Sequence, residues 1–189
     1  MKHTIMEIKD YIHVKENGIS TDLCDDILNE YVPTNEWKVG TIGDNAITDV
    51  RKCDTIFMSN ASVKTNDIRK GLDERVYESV WECVREYLSK YTTSICNIAT
   101  DSGYGLLWYK SGDYIGPHID ASGRRPRELS CSLILNDDYE GGEFAFFDQK
   151  VKFNLIKGDI IMFPSNFMYP HEVLPVTSGT RYAIITWIC

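Results

Sequence analysis

Two histidines and an aspartate in this chain stand where they could grip one metal ion. His118-Ile119-Asp120 is followed 51 residues later by His171 and, ten residues after that, by Arg181. The chain holds only four histidines, so this constellation takes two of them. Two histidines and one carboxylate form the ligand set of a non-haem Fe(II) centre with positions open for a co-substrate and oxygen. The same set with an open water position also describes catalytic zinc. One residue separates His118 from Asp120, so on an extended strand both side chains leave the same face. A distant strand must then bring the third ligand.

The elements that could hold such a site are legible along the chain. Tyr11 to Val14 reads as a short opening strand. Ser20 or Thr21 caps a helix with Leu23, Ile27 and Tyr31 on one face, ending before Pro33. Residues 36–66 mix Gly, Asn and Asp with apolar patches such as Thr55-Ile56-Phe57-Met58, which favours strands and loops. Asp67 to Tyr91 is the clearest helix: Ile68, Leu72, Val76, Val80, Val84, Tyr87, Leu88 and Tyr91 recur every three or four residues as one apolar stripe. From residue 104 onward, short runs of β-formers alternate with turn signals such as Ser111-Gly112-Asp113, Gly141-Gly142 and Ser178-Gly179. The fold class expected is mostly β: a double-stranded β-helix, or jelly roll, buttressed by helices from the N-terminal half. A single domain over 1–189 is expected, with 1–103 as helical and strand support and 104–189 as the catalytic core.

Composition narrows the partners. A net charge of −8 argues against general nucleic-acid or anionic-membrane binding, which needs a basic footprint. The six cysteines form no C-x-x-C pair and read as reduced thiols. Neither a signal-peptide pattern nor a run of eighteen apolar residues is present, so a cytoplasmic soluble protein is expected.

From about Gly105 to Cys189 the chain resembles the 2-oxoglutarate- and Fe(II)-dependent dioxygenases, in particular their prolyl 4-hydroxylase branch. The resemblance rests on several motifs in order: Tyr109-x-x-Gly112, Tyr114, Pro117 and His118-x-Asp120; Asn136-Asp137-x-x-Glu140-Gly141-Gly142-Glu143-x-x-Phe146; Lys157-Gly158-Asp159 and Phe163; then His171, Pro175-Val176, Gly179-Thr180-Arg181 and Trp187. It implies Fe(II) held by His118, Asp120 and His171, with 2-oxoglutarate and O2 as co-substrates and L-ascorbate as reductant. Arg181 and Tyr109 would bind the far carboxylate of 2-oxoglutarate, and arginine suits that task through its planar, permanently charged fork. Arg127, Trp187 and Tyr114 would face the substrate. The implied reaction couples decarboxylation of 2-oxoglutarate, giving succinate and CO2, to hydroxylation of an unactivated C–H bond. A prolyl residue in a peptide or protein is the expected substrate, and a free amino acid or small metabolite is the alternative.

If residues 175–179 form a tight turn, His171 lies opposite residue 184 and Arg181 sits about 10 Å further along at strand rise. The chain also departs from the family's pattern. Arginine stands at 181 where many prolyl 4-hydroxylases carry lysine, Ile134 replaces a second co-substrate tyrosine, and Phe144 replaces a small polar residue, which makes the pocket more apolar. Nucleic-acid demethylases of the superfamily carry two arginines on the closing strand, whereas Arg181 here is followed by Tyr-Ala-Ile-Ile-Thr-Trp-Ile-Cys. A zinc hydrolase leaves Arg181 and Tyr109 without a task. A jelly-roll binding module with incidental histidines remains a rival of another class. The loop from Ala121 to Glu128, with Arg124, Arg125 and Arg127, is expected to lie at the mouth of the site as a mobile lid. Oligomeric state is not legible.

Overall fold

The computed structural model describes residues 6–41, 49–59, 65–91, 98–121 and 126–189. Two antiparallel sheets face each other, and two helices cover the back of the larger one. The larger sheet has seven strands: β1 (His13–Lys15), β2 (Lys38–Val39), β4 (Asp54–Phe57), β5 (Gly105–Tyr109), β7 (Leu129–Ile134), β11 (Ile160–Pro164) and β14 (Arg181–Ile188). Their spatial order is β1-β11-β7-β14-β5-β4-β2. The smaller sheet has five: β3 (Arg51–Lys52), β6 (Tyr114–His118), β9 (Phe144–Phe146), β10 (Val151–Phe153) and β12 (His171–Val173), in the order β10-β9-β12-β6-β3. A short ribbon pairs β8 (Glu140–Gly141) with β13 (Val176–Ser178). The fold is a jelly roll, mostly β, as its sequence pattern implies. Strands from the first hundred residues do more than support it, because β1, β2, β3 and β4 are members of the two sheets.

Strand alternation divides the interior into two cores. Leu106, Cys131, Leu133, Met162, Ile184 and Ile188 point from the larger sheet toward the helices. Their neighbours Leu107, Ile161 and Phe163 point the other way, into the space between the sheets, where they meet Ile115, Phe144, Phe146 and Val173. The helical layer consists of α1 (Thr21–Tyr31) and α2 (Asp67–Tyr91). Ser20 caps α1 by accepting from the Leu23 amide at 3.2 Å, and Leu23, Cys24, Ile27 and Tyr31 are buried. On α2 the buried face is Leu72, Val76, Val80, Cys83, Val84 and Tyr87.

Ile68 does not belong to that stripe; it is 65% exposed. The first turn of α2 turns Arg69 inward instead, where it pairs with Glu30 at 2.7 Å and Glu36 at 2.8 Å and lies over the Tyr31 ring. Asn66 accepts from the amides of Ile68 and Arg69 and so caps this end. The opening strand also starts later than expected, because Ile8–Tyr11 forms a 3-10 turn. Cys24, Cys53, Cys83, Cys131 and Cys189 carry free thiols. No helix among the described residues is long and apolar enough to cross a membrane.

The turn at 175–179 departs from the expectation. His171 does not lie opposite Ile184, because β12 and β14 belong to different sheets. His171 pairs with His118 on one side and Phe146 on the other, while Ile184 pairs with Leu106 and Leu133. Between the two strands the chain crosses from one sheet to the other by way of β13, where the Gly142 amide donates to the Pro175 carbonyl at 3.2 Å.

Candidate active site

His118 and His171 meet because β6 and β12 are paired at those two residues, with ring centroids 4.3 Å apart. The pairing carries an irregularity: His171 faces His118 and Val173 faces Ile115, so four residues of β6 lie opposite three of β12. The extra residue shifts the alternation of β6 by one, and Ile115 and His118 both face the cavity. Asp120 lies just beyond the strand. Its Oδ1 is 3.6 Å from His118 Nε2 and its Oδ2 is 3.4 Å from His171 Nε2. One ligand atom from each of the three residues fits within 4.8 Å of the others.

The donor chemistry suits a divalent metal. Each histidine directs Nδ1 at the carbonyl of the residue two positions earlier: Gly116 at 2.9 Å and Tyr169 at 3.0 Å. With Nδ1–H donating there, both Nε2 lone pairs are left facing Asp120, which is the tautomer a metal needs. Phe144, Phe146 and Phe163 surround the His171 ring, with Phe144 stacked at 5.5 Å and Phe163 edge-on at 4.7 Å. That packing fixes the ring and keeps water off one side of the site.

Charges within the triad shift its protonation. Burial disfavours the charged forms of His118 and Asp120, but their mutual attraction and hydrogen bonding outweigh it. His118 is raised above its ordinary 6.5, aided by the Gly116 carbonyl, and Asp120 is held well below the usual carboxylate range by His118, His171 and Ser130. Asp120 therefore stays ionised near neutrality, and a proton on His118 competes with a metal. Mn(II) affinity is expected to fall about tenfold per pH unit below the folded His118 value, a decline that starts above pH 6.5. Isothermal titration from pH 5.5 to 8 checks this; a flat profile across 6 to 7 would contradict it.

Arg181 and Tyr109 come from the opposite sheet, paired in register as the first residue of β14 and the last of β5. Both side chains are 1% exposed, and the guanidinium carbon lies 5.0 Å from the Tyr109 ring centroid. Burial pushes the Tyr109 phenol well up, so it remains a hydrogen-bond donor at any ordinary pH. The Arg181 Nε has no hydrogen-bond partner, and no carboxylate among the described residues lies within ion-pairing distance. A buried guanidinium without a counter-charge is costly unless a ligand supplies one. Arg181, Tyr109 and the triad line one cavity of about 460 Å³. Gly142 is part of the seating: a Cβ there would come within 2.9 Å of the Arg181 Cδ.

Arg127 and Trp187 line the same cavity. The Arg127 guanidinium stacks 3.6 Å from the Trp187 ring centroid and donates through Nη1 to the Asp120 carbonyl at 3.1 Å. Phe144 lines the cavity too, in keeping with the apolar character its position suggested, whereas Ile134 does not. Tyr114 corrects an expectation: it is absent from the cavity wall, and its hydroxyl donates to the Asp49 carbonyl at 2.7 Å. The residue added to β6 explains this, since bringing Ile115 and His118 into phase leaves Tyr114 out. Arg124 and Arg125, and with them most of the expected lid, lie outside the described residues.

Sequence reading passed over Arg51 and Ser130. Arg51, on β3, lines the cavity and is held by donating to the Thr41 carbonyl at 3.1 Å and to Cys53 Sγ at 3.3 Å. Nothing in Asp49-Val50-Arg51-Lys52 marks it, because its place depends on the pairing of β3 with β6. Ser130 donates to Asp120 Oδ2 at 2.6 Å. The small polar residues alternating along Leu129-Ser130-Cys131-Ser132, inside a wholly buried strand, were the available signal.

Comparison with known proteins agrees with this geometry. Residues 104–189 match the model of the 2OG-Fe(II) oxygenase superfamily. A PKHD-type hydroxylase of Idiomarina loihiensis is 40% identical over 87 residues, covering 42% of this chain and 38% of the relative. One from Prochlorococcus marinus is 39% identical over 95 residues, covering 45% and 41%. The chain thus spans about two fifths of the length of the curated relatives it matches. In fold it is similar to a prolyl hydroxylase of Trichoplax adhaerens in complex with a hypoxia inducible factor peptide, with TM-score 0.73 and 19% identity over 94% of this chain and 82% of that one. It is likewise similar to a Pseudomonas putida prolyl-4-hydroxylase, with TM-score 0.72 and 17% identity over 94% and 91%. Over residues 104–189 the chain is thus similar to the 2OG-Fe(II) oxygenase superfamily, a likeness that implies Fe(II), 2-oxoglutarate and O2, and the relatives it matches there are PKHD-type hydroxylases.

Proposed function

We propose that this protein is a 2-oxoglutarate-dependent hydroxylase acting on a prolyl residue in a peptide or protein and releasing succinate and CO2. The observation that carries the reading is the buried Arg181, whose Nε lacks a partner, opening on the same cavity as the triad. In this reading His118, Asp120 and His171 hold Fe(II), which when bound supplies the redox chemistry that couples O2 to C–H hydroxylation. Arg181 and the Tyr109 phenol receive the far carboxylate of 2-oxoglutarate and orient the co-substrate toward the triad. Phe144, Phe163 and Leu107 exclude water along its length. A binding module with incidental histidines has no use for a buried arginine that meets no carboxylate among the described residues.

Two observations support a peptide over a free amino acid. A second cavity, of about 820 Å³, adjoins the first and shares Thr41, Arg51, Arg127, Ile185 and Trp187 with it, giving room for chain on one side of the reacting residue. The relatives and structural neighbours include PKHD-type and prolyl hydroxylases. L-Ascorbate is proposed as the reductant that restores Fe(II) after uncoupled turnover. The test is incubation of the Fe(II)-loaded protein with 2-oxoglutarate and either proline-containing peptides or free amino acids, read by mass spectrometry for a gain of one oxygen. Hydroxylated peptide matched by succinate supports the proposal; hydroxylated free amino acid alone would replace the substrate class, and no 2-oxoglutarate consumption would overturn the activity. Arg127→Ala is expected to cut hydroxylated product more than 2-oxoglutarate consumption, because Arg127 and Trp187 form the wall between the two cavities.

A further inference from the structure

Asp120 has two oxygens, and the structure treats them differently. Oδ2 accepts a 2.6 Å hydrogen bond from Ser130 Oγ, while no hydroxyl among the described residues is bonded to Oδ1. Ser130 Oγ also lies 2.8 Å from Ser165 Oγ. A serine hydroxyl has one hydrogen. Ser130 spends its own on the carboxylate, so the hydrogen between the two serines must come from Ser165. The result is a directed chain, Ser165 to Ser130 to Asp120 Oδ2.

Both serines are buried, Ser130 at 3% and Ser165 at 1% exposure, and Ser130 sits beside Phe163, its partner across the paired strands. Buried hydroxyls are unfavourable unless fully bonded. Ser165 is itself positioned, since its amide donates to the Glu128 carbonyl at 3.0 Å. Arg127 holds the Asp120 backbone from the other side through its carbonyl. The carboxylate is thus restrained at its backbone and at Oδ2, which lies 3.4 Å from His171 Nε2, while Oδ1, 3.6 Å from His118 Nε2, takes no hydroxyl hydrogen bond among the described residues.

We propose that Ser130, oriented by Ser165, is a positioning residue that restricts Asp120 to ligation through a single oxygen. This inference rests on the metal-site reading given above. A carboxylate free to rotate can bind a divalent ion through both oxygens and thereby occupy a coordination position that the co-substrates require. A hydrogen bond that holds Oδ2 back preserves that position. The effect is on the number of open positions, which separates it from a merely structural role: filling space in the wall needs no hydroxyl.

The test loads the intact protein with Mn(II) and counts exchangeable metal-bound waters by water-proton relaxation, with 2-oxoglutarate affinity measured by titration. Ser130→Ala is expected to lose one exchangeable water, keep its Mn(II) affinity, and bind 2-oxoglutarate on the order of tenfold more weakly. Ser130→Cys, which keeps the shape but donates poorly, should behave like Ser130→Ala and serves alone if the alanine variant does not fold. Ser130→Thr, which restores a hydroxyl, should return the wild-type water count. An unchanged water count and co-substrate affinity in the alanine or cysteine variant would overturn the inference and leave the metal site standing. Failure of the wild-type protein itself to bind Mn(II) would overturn the metal-site reading on which the inference depends.

Discussion

Replacing His118, Asp120 or His171 by alanine is expected to abolish Fe(II) binding and 2-oxoglutarate turnover while the fold persists. The triad hangs at one end of the smaller sheet, at the last residue of β6, the first of β12 and a loop position beyond β6. The interior that holds the sandwich together lies elsewhere, in the apolar layer between the sheets and the second layer beneath the helices. His171→Ala is the least innocent of the three, because its ring fills a slot among Phe144, Phe146 and Phe163 and leaves a void. Large-to-small changes of that kind cost about 2–5 kcal/mol, so thermal unfolding should be recorded for each variant beside anaerobic Fe(II) titration. Wild-type-like succinate formation by any of the three would sink the assignment of the triad.

The second large effect belongs to Arg181. Its alanine variant is expected to raise the 2-oxoglutarate concentration needed for half-saturation by about 30-fold to a few thousand-fold, from the roughly 2–5 kcal/mol lost when one partner of a buried, hydrogen-bonded charge pair is removed. Metal affinity should remain within a factor of two or so, since Arg181 belongs to the other sheet and is not one of the three residues whose ligand atoms cluster. Arg181→Lys should recover part of the loss, because it restores charge without the fork. If Arg181→Ala bound 2-oxoglutarate as the wild type does, the co-substrate's far carboxylate would have to be held elsewhere.

Much of this was legible in the residues because local pattern and final structure agree. The stripe from Leu72 to Tyr87 permits only a helix, and its bounds in the structure, Asp67–Tyr91, coincide with those expected. The alternating runs after residue 104 form strands close to where they were read, and His118, Asp120 and His171 converge as their types suggested. What stayed hidden depends on pairing between distant strands. The residue added to β6 opposite β12 cannot be seen in Tyr114-Ile115-Gly116-Pro117-His118 alone, yet it decides that Ile115 enters the cavity and Tyr114 does not. The passage of the chain from one sheet to the other between His171 and Arg181 looked like an ordinary hairpin, since its turn residues suit either outcome. Arg51 reaches the cavity only through β3, a two-residue strand too short to carry a pattern.

Placing His118 and His171 on one sheet and Arg181 on the other turns the sandwich into a caliper. The jaws are the two inner faces, about 10 Å apart in stacked sheets generally. The spacer that sets the opening is aromatic: Phe163 of the larger sheet meets Phe146 of the smaller one edge to face at 4.8 Å and Phe144 at 5.7 Å. In the proposed reading, a diacid gripped at both ends would be measured by a distance that neither strand sets alone. On that reading, trimming a spacer ring would narrow the gauge toward a shorter diacid, and because the same rings pack against His171 the choice of co-substrate length would depend on hydrocarbon packing as well as on the charged groups that bind it.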